Sequence, residues 1–185
     1  ETVPVYIFDH DEWSHQLSLD ARKEFVLESL KNLNQQYIKL GTKLTFFHGD
    51  PLEILSNLQA EGHEIVFNKD SNHFFQEKEK ALRKEFTPVN GKAVIYRESG
   101  RAEKWANHAK HWFESNQYQR PESIQENNLE GNTSIKEIRE KYEIRSEKES
   151  FGKGGGFEAR KRLEDFIEKI DEYSGCISSP SKAES

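Results

Sequence analysis

Cysteine is nearly missing. Cys176 is the only one in 185 residues, so no disulfide can form within the chain. A thiol without an internal partner points to a reducing compartment, the cytoplasm. Positive charge is short too: Lys and Arg number 27 against 33 Asp and Glu, a formal net charge of −6. Phosphate neutralisation needs an excess of Lys and Arg, which argues against this stretch by itself as a nucleic-acid surface and leaves that task to a basic partner domain. No apolar run approaches the roughly 20 residues of a membrane helix, and no basic-then-apolar leader opens the chain. A cytoplasmic protein with no membrane partner is therefore expected. There is no internal repeat. The glycine run Gly152 to Gly156 follows no strand, so it fails the context that a phosphate-cradling loop requires. Ser-His-Asp and Cys-His groupings for nucleophilic catalysis are absent, and Cys176 reads as structural.

Hydrophobic residues make up 34% and charged residues 32%, a modest core under a heavily ionised surface. The length suits one ordinary domain with extensions. The stretch Glu64 to Asp70 (EIVFNKD) predicts a short buried strand, opened by Gly62 and ending in the polar residues Asn68, Lys69 and Asp70. Ligand crevices of open α/β sheets lie at such carboxyl ends. Val3 to Phe8 predicts another strand, ending at Asp9, and Leu44 to Phe47 a third, ending at His48-Gly49-Asp50. Between them Ser18 is placed to cap a helix with a stripe of Phe25, Val26, Leu30, Leu33, Tyr37 and Leu40, closed by Gly41. Asp50 and Pro51 open a short helix with Leu52, Leu55 and Leu58 on its core face. A charged helix is expected over Asn72 to Phe86, then a turn at Asn90-Gly91 and a strand over Ala93 to Tyr96. Strands alternating with helices predict a parallel α/β sheet with right-handed crossovers. Farther on, Trp105, Ala109 and Trp112 mark a helix, and Gln117 to Asn132 reads as polar loop. Ser134 to Glu137 is a capping-box signature, and Gly152 to Gly156 reads as a flexible joint. A last helix begins near Phe157, with Leu163, Phe166, Ile167, Ile170 and Tyr173 on one side.

Several of these segments resemble the photolyase and cryptochrome flavoproteins. VPVYIFDHDEW (3–13) is similar to that family's second strand, and residues 21–55 to its next helix, strand and Gly-Asp-Pro helix start. IVFNKD (65–70) resembles the fourth strand with its Asn-x-Asp exit. EKWANHAKHWF (103–113) resembles a tryptophan-bearing segment of one bacterial branch. Residues 154–180 resemble the start of the helical flavin domain. The resemblance implies a Rossmann-like parallel sheet with helices on both faces over residues 1–113. It further implies an interdomain linker over 114–156 and the first helix of an FAD-binding helical domain over 157–185. The family's first strand, with its Trp-Phe-Arg-x-Asp-Leu-Arg signature, is absent, and the chain stops about where the flavin phosphate loop would begin. A fragment is expected, poorly stable or oligomeric because a missing central strand leaves two unpaired edges.

By that resemblance the α/β part holds an antenna chromophore such as a folate, a deazaflavin or FMN. Asp9, Asn68, Lys69, Asp70 and Asn72 would supply polar contacts, with Phe74 and Phe75 as a stacking wall. Tyr173 would contact FAD in the full-length protein. The implied whole is a deoxyribodipyrimidine photo-lyase, or a photolyase-like cryptochrome, that meets damaged DNA through its helical domain. The piece itself would be a scaffold with no catalytic residue and no tightly bound cofactor. Plainer readings compete: Asn68 and Asp70 as helix caps, Tyr173 as core, Trp105 and Trp112 as packing. His108 and His111 lie three apart on a helix, yet further ligands for a metal are not evident. His10 and His15 read as solvated. A nucleotide-binding module of electron-transfer-flavoprotein or universal-stress type is a rival reading, but it lacks the glycine-rich loop. A non-catalytic interaction domain is another.

Overall fold

The computed structural model describes residues 2–15, 19–68, 76–89, 110–111, 114, 121–145 and 152–170. The chain divides into two compact units, residues 1–48 with 122–185, and residues 49–121.

In the first unit, strand β1 (Val5–Asp9) runs into the five-residue helix α1 (His10–Ser14). This helix was not expected from the sequence. It forms because Asp9, in extended conformation, accepts the Asp11 amide at 2.9 Å and so caps a new turn. The 20-residue helix α2 (Asp20–Lys39) follows. The cap residue is Leu19, which makes no side-chain cap bond, and the Ser18 expected there lies outside the described residues. At the far end the sequence expectation holds. Gly41 sits at φ +97°, with its amide on the Ile38 carbonyl and the Thr42 amide on the Tyr37 carbonyl, the two bonds of a Schellman cap. Strand β2 (Thr45–Gly49) then pairs with β1.

The buried face of α2 is Leu27 and Leu30, whereas Phe25 and Leu33, assigned to the stripe from spacing, are exposed. Leu27 joins Phe8, Trp13, Leu44, Phe46, Ile138 and Ile144 in one core. The last two come from beyond residue 121, out of the segment expected to be polar loop and linker. There, residues 122–134 run along the edge of β2 without forming a ladder. The buried Asn127 donates its amide to the Thr42 hydroxyl at 2.7 Å and the Lys43 carbonyl at 3.0 Å. Asn132 accepts the His48 amide at 2.7 Å and donates to the His48 carbonyl at 3.1 Å, copying what a neighbouring strand would do. Gly131 lies so close that a Cβ there would sit 2.0 Å from the Phe46 carbonyl oxygen. Ser134 then caps helix α5 (Ile135–Lys141) by accepting the Glu137 amide, as its sequence predicts. Ile138 anchors that helix, fully buried. As a domain boundary, a linker over 114–156 remains a proposal.

Helix α6 (Gly156–Glu168) leans on α2. Its glycine lead-in is docked: Gly154 donates to Glu28 at 2.7 Å and Gly156 to Asn32 at 3.1 Å. None of its residues is buried, and Phe157, Leu163 and Ile167 are exposed, as is Ile170 just past its end.

The second unit holds α3 (Pro51–Ala60), β3 (Val66–Asn68), α4 (Gln76–Glu85) and β4 (Thr87–Val89). Asp50 caps α3 through the Leu52 and Glu53 amides with Pro51 in the first turn, and Leu58 is its buried residue. β3 and β4 pair in parallel, Phe67 opposite Pro88, with α4 as crossover. The sequence expects β3 to be buried on both sides. Instead Val66 is 55% exposed and only Phe67 is partly covered, because β4 is its one strand neighbour among the described residues. β4 lies between the expected helix end at Phe86 and the expected turn at Asn90-Gly91, where no strand was expected, and the strand expected over Ala93 to Tyr96 lies outside the described residues.

Two contrasts test this packing. Ile138→Ala is expected to lose roughly 2–5 kcal/mol, while Ile167→Ala on the exposed face of α6 stays within about 0.5 kcal/mol. Asn127→Ala strands two acceptors in the turn before β2, the Thr42 hydroxyl and the Lys43 carbonyl, and is expected to cost about 1–3 kcal/mol. Denaturant midpoints at unchanged m-value check all three.

Candidate functional site

The carboxyl ends of β1 and β2 bring together Asp9 and His10 on one side and His48 on the other. The rings of His10 and His48 meet edge to face with centroids 5.9 Å apart. From the end of α5, Tyr142 reaches in, its hydroxyl 2.8 Å from His48 Nε2. The Tyr142 ring covers Trp13 at 5.7 Å, and Trp13 packs on Phe8 at 5.0 Å. Lys141 Nζ lies 3.4 Å from His48 Nδ1, and Lys23 Nζ sits 5.4 Å over the Tyr142 ring. The aromatic chain thus runs from buried Phe8 and Trp13 out to exposed His10, with two half-buried rings between.

Charge placement follows from this geometry. Burial, helped by Lys141 and His10 and opposed by Asp9, pulls His48 below the usual histidine value. Burial and Asp9 push the Tyr142 phenol up, against a hydrogen bond with Ser14. Deeper in β1, burial raises Tyr6 from 10.0 to about 12, with Glu12 adding to the rise and Arg22 opposing it. One turn earlier on α5, Arg139 grips Glu24 of α2 at 2.8 and 2.5 Å, and this hydrogen-bonded pairing lifts the guanidinium further into its charged range. That pair ties α5 to α2 one turn before Tyr142.

Of the residues expected from the sequence, Asp9 is 6% exposed and carries the α1 cap. Asn68 ends β3, exposed, in register with Val89. Asp9 and Asn68 belong to different compact units. Lys69, Asp70, Asn72, Phe74, Phe75 and Tyr173 lie outside the described residues, as do Trp105, His108 and Trp112. Among the described residues no group of three or more His, Cys, Asp or Glu is arranged to hold a metal ion. None of their helices is long and apolar enough to cross a membrane. His48 and Tyr142 were missed as a pair. His48 could be read as a strand-end residue, but Tyr142 lies 94 positions later in a charged segment with no periodic signal.

The sequence model of the DNA photolyase family matches residues 1–98. The chain belongs to that family. Cryptochrome-1 of Anopheles gambiae is 30% identical over 83 residues, which is 44% of this chain and 15% of that protein. A class III photolyase from Agrobacterium tumefaciens superposes at a TM-score of 0.63 with 19% identity, over 90% of this chain and 39% of its own. A photolyase from Sulfolobus tokodaii, solved with two FAD molecules and described as implicating a novel light-harvesting cofactor, gives 0.55 and 17%, over 88% of this chain and 39% of its own. This photolyase-family chain therefore spans well under half the length of those relatives. Its α/β architecture is theirs.

The electrostatics of β1 give a test. The folded state keeps the Tyr6 phenol neutral while the unfolded chain ionises near 10.0, so this stabilisation is whole below pH 10 and drains as pH rises toward 12. Tyr6→Phe is expected to flatten the alkaline limb of the stability curve by about 2–3 kcal/mol, read from denaturant midpoints of the two proteins across that window.

Proposed function

We propose that the chain is the amino-terminal part of a deoxyribodipyrimidine photolyase or photolyase-like cryptochrome, serving as antenna-binding and scaffold domain. The family match over residues 1–98 carries this reading. In the proposed whole protein FAD supplies the electron that splits a pyrimidine dimer in DNA, held by a helical domain to which Tyr173 contributes. The protein works in the cytoplasm.

The antenna chromophore is a folate, a deazaflavin or a flavin nucleotide. The strand ends supply a fitting donor set: half-exposed aromatic faces at His48 and Tyr142 beside a carboxylate, imidazoles and an ammonium. A flat heteroaromatic ligand needs such faces with a few convergent polar groups. Asp9, Asn68, Lys69, Asp70, Asn72 and Phe74 are its proposed contacts. Asp9 also caps α1 through its Oδ1, which holds the β1–α1 corner in shape for that contact.

The test uses the full-length protein and its visible spectrum. A flavin band, a second near-ultraviolet band and light-dependent dimer splitting are expected. Flavin without splitting reassigns the protein to cryptochrome signalling, and a colourless protein overturns the reading. Removing one side-chain hydrogen bond by Asn68→Ala or Asp70→Ala is expected to weaken antenna retention roughly 3–10-fold, with the flavin band unchanged.

A further inference from the structure

His48 stands where four elements converge, and its surroundings are lopsided in charge. Helix α5 presents Lys141 and Tyr142, α1 presents His10, and the end of β1 presents Asp9. Helix α2 adds Lys23 over the Tyr142 ring. The segment along the β2 edge contributes only the neutral Asn132 amide, bonded to the His48 backbone. Asp9 is the one carboxylate among these groups, and its Oδ1 accepts the Asp11 amide.

The ring's two nitrogens are both engaged. An ammonium has donors only, so in the 3.4 Å contact with Lys141 the imidazole Nδ1 is the acceptor. Nε2 then carries the hydrogen and donates to the Tyr142 oxygen at 2.8 Å. The arrangement is complete with neutral His48 and is spoiled by one more proton. A proton on Nδ1 would point at the Lys141 ammonium and place a cation beside the exposed His10 ring.

We propose that His48 is an acid-operated latch that holds the end of α5 over Trp13 and lets it go when protonated. Lys141 and Tyr142 are consecutive at the end of that helix, so repulsion of one drags the other from the strand ends. The anchor at Ile138 and the Arg139–Glu24 pair lie one turn back and keep the helix itself in place. What opens is the Tyr142 cover over the Trp13 ring, at the mouth of the two strands. The sign follows from the neutral preference of the folded state: the latch holds above the ordinary histidine value of 6.5 and is lost as pH falls through the lower folded value.

Nuclear magnetic resonance of the whole chain reads this directly. The His48 ring, the Tyr142 amide and the Trp13 indole N–H are followed together through the acidic range. One shared midpoint below 6.5 is expected. Lys141→Gln removes the nearest cation from an exposed position and is expected to raise that midpoint by roughly 0.5–1 unit. Tyr142→Phe should leave His48 titrating while the Trp13 signal no longer follows it. His10→Asn is the control and should keep Trp13 coupled to His48. A Trp13 or Tyr142 signal that ignores His48 overturns the proposal, and so does a midpoint indifferent to Lys141→Gln. None of the three changes removes a fully buried group, so the outcome does not depend on a core variant folding.

Discussion

Everything in the first unit depends on how the edge of β2 is closed. A strand edge leaves amides and carbonyls that must find partners. Here Asn132, carried by residues 122–134, closes the edge at His48, and Asn127 ties the same segment to Thr42 and Lys43 in the turn before the strand. Side-chain amides offer one donor group and one acceptor, so an asparagine can answer a strand residue at both its N–H and its C=O. Asn132 does this at His48. The closure has two effects at once. It satisfies β2, and it delivers the chain to Ser134, where α5 starts at the right place to seat Ile138 in the core and Tyr142 on His48.

Tertiary packing then explains the burial pattern that spacing alone misassigned. On α2 the periodic positions Phe25 and Leu33 face outward, while Leu27, left out of the stripe, is fully covered. The helix is contacted on more than one side: β-strand residues and Ile138 on one, the glycine lead-in of α6 on another. An amphipathic stripe marks a single apolar seam and cannot register a second contact made through backbone amides, Glu28 and Asn32. Likewise the polar text of residues 117–132 hides its burial, because Asn127 is buried through hydrogen bonds and not through hydrophobicity.

What was legible in the sequence was local chemistry. Asp50 before Pro51, Ser134 three residues before Glu137, and Gly41 after the last helical turn each declare a cap whose partners lie within a few residues. The run of apolar residues in β1 and β2 declared strands for similar reasons. The candidate site was half legible. Strand ends at Asp9 and His48 follow from where apolar runs stop, but the groups that complete them, Tyr142 and Lys141, come from far along the chain. Asp9 also shows a strand-end carboxylate turning to its own backbone, starting a helix that no hydrophobic period announced.

The docked glycines before α6 have a mechanical meaning. Two amides of that lead-in are tied to side chains one turn apart on α2, so the direction of α6 is borrowed from α2 and is not left to a swivel. Any small roll of α2 about its axis would sweep Leu163, Ile167 and Ile170 through an arc, much as a hand on a shaft turns a pointer. The apolar row on α6 therefore takes its bearing from the same helix that carries Lys23 and Glu24.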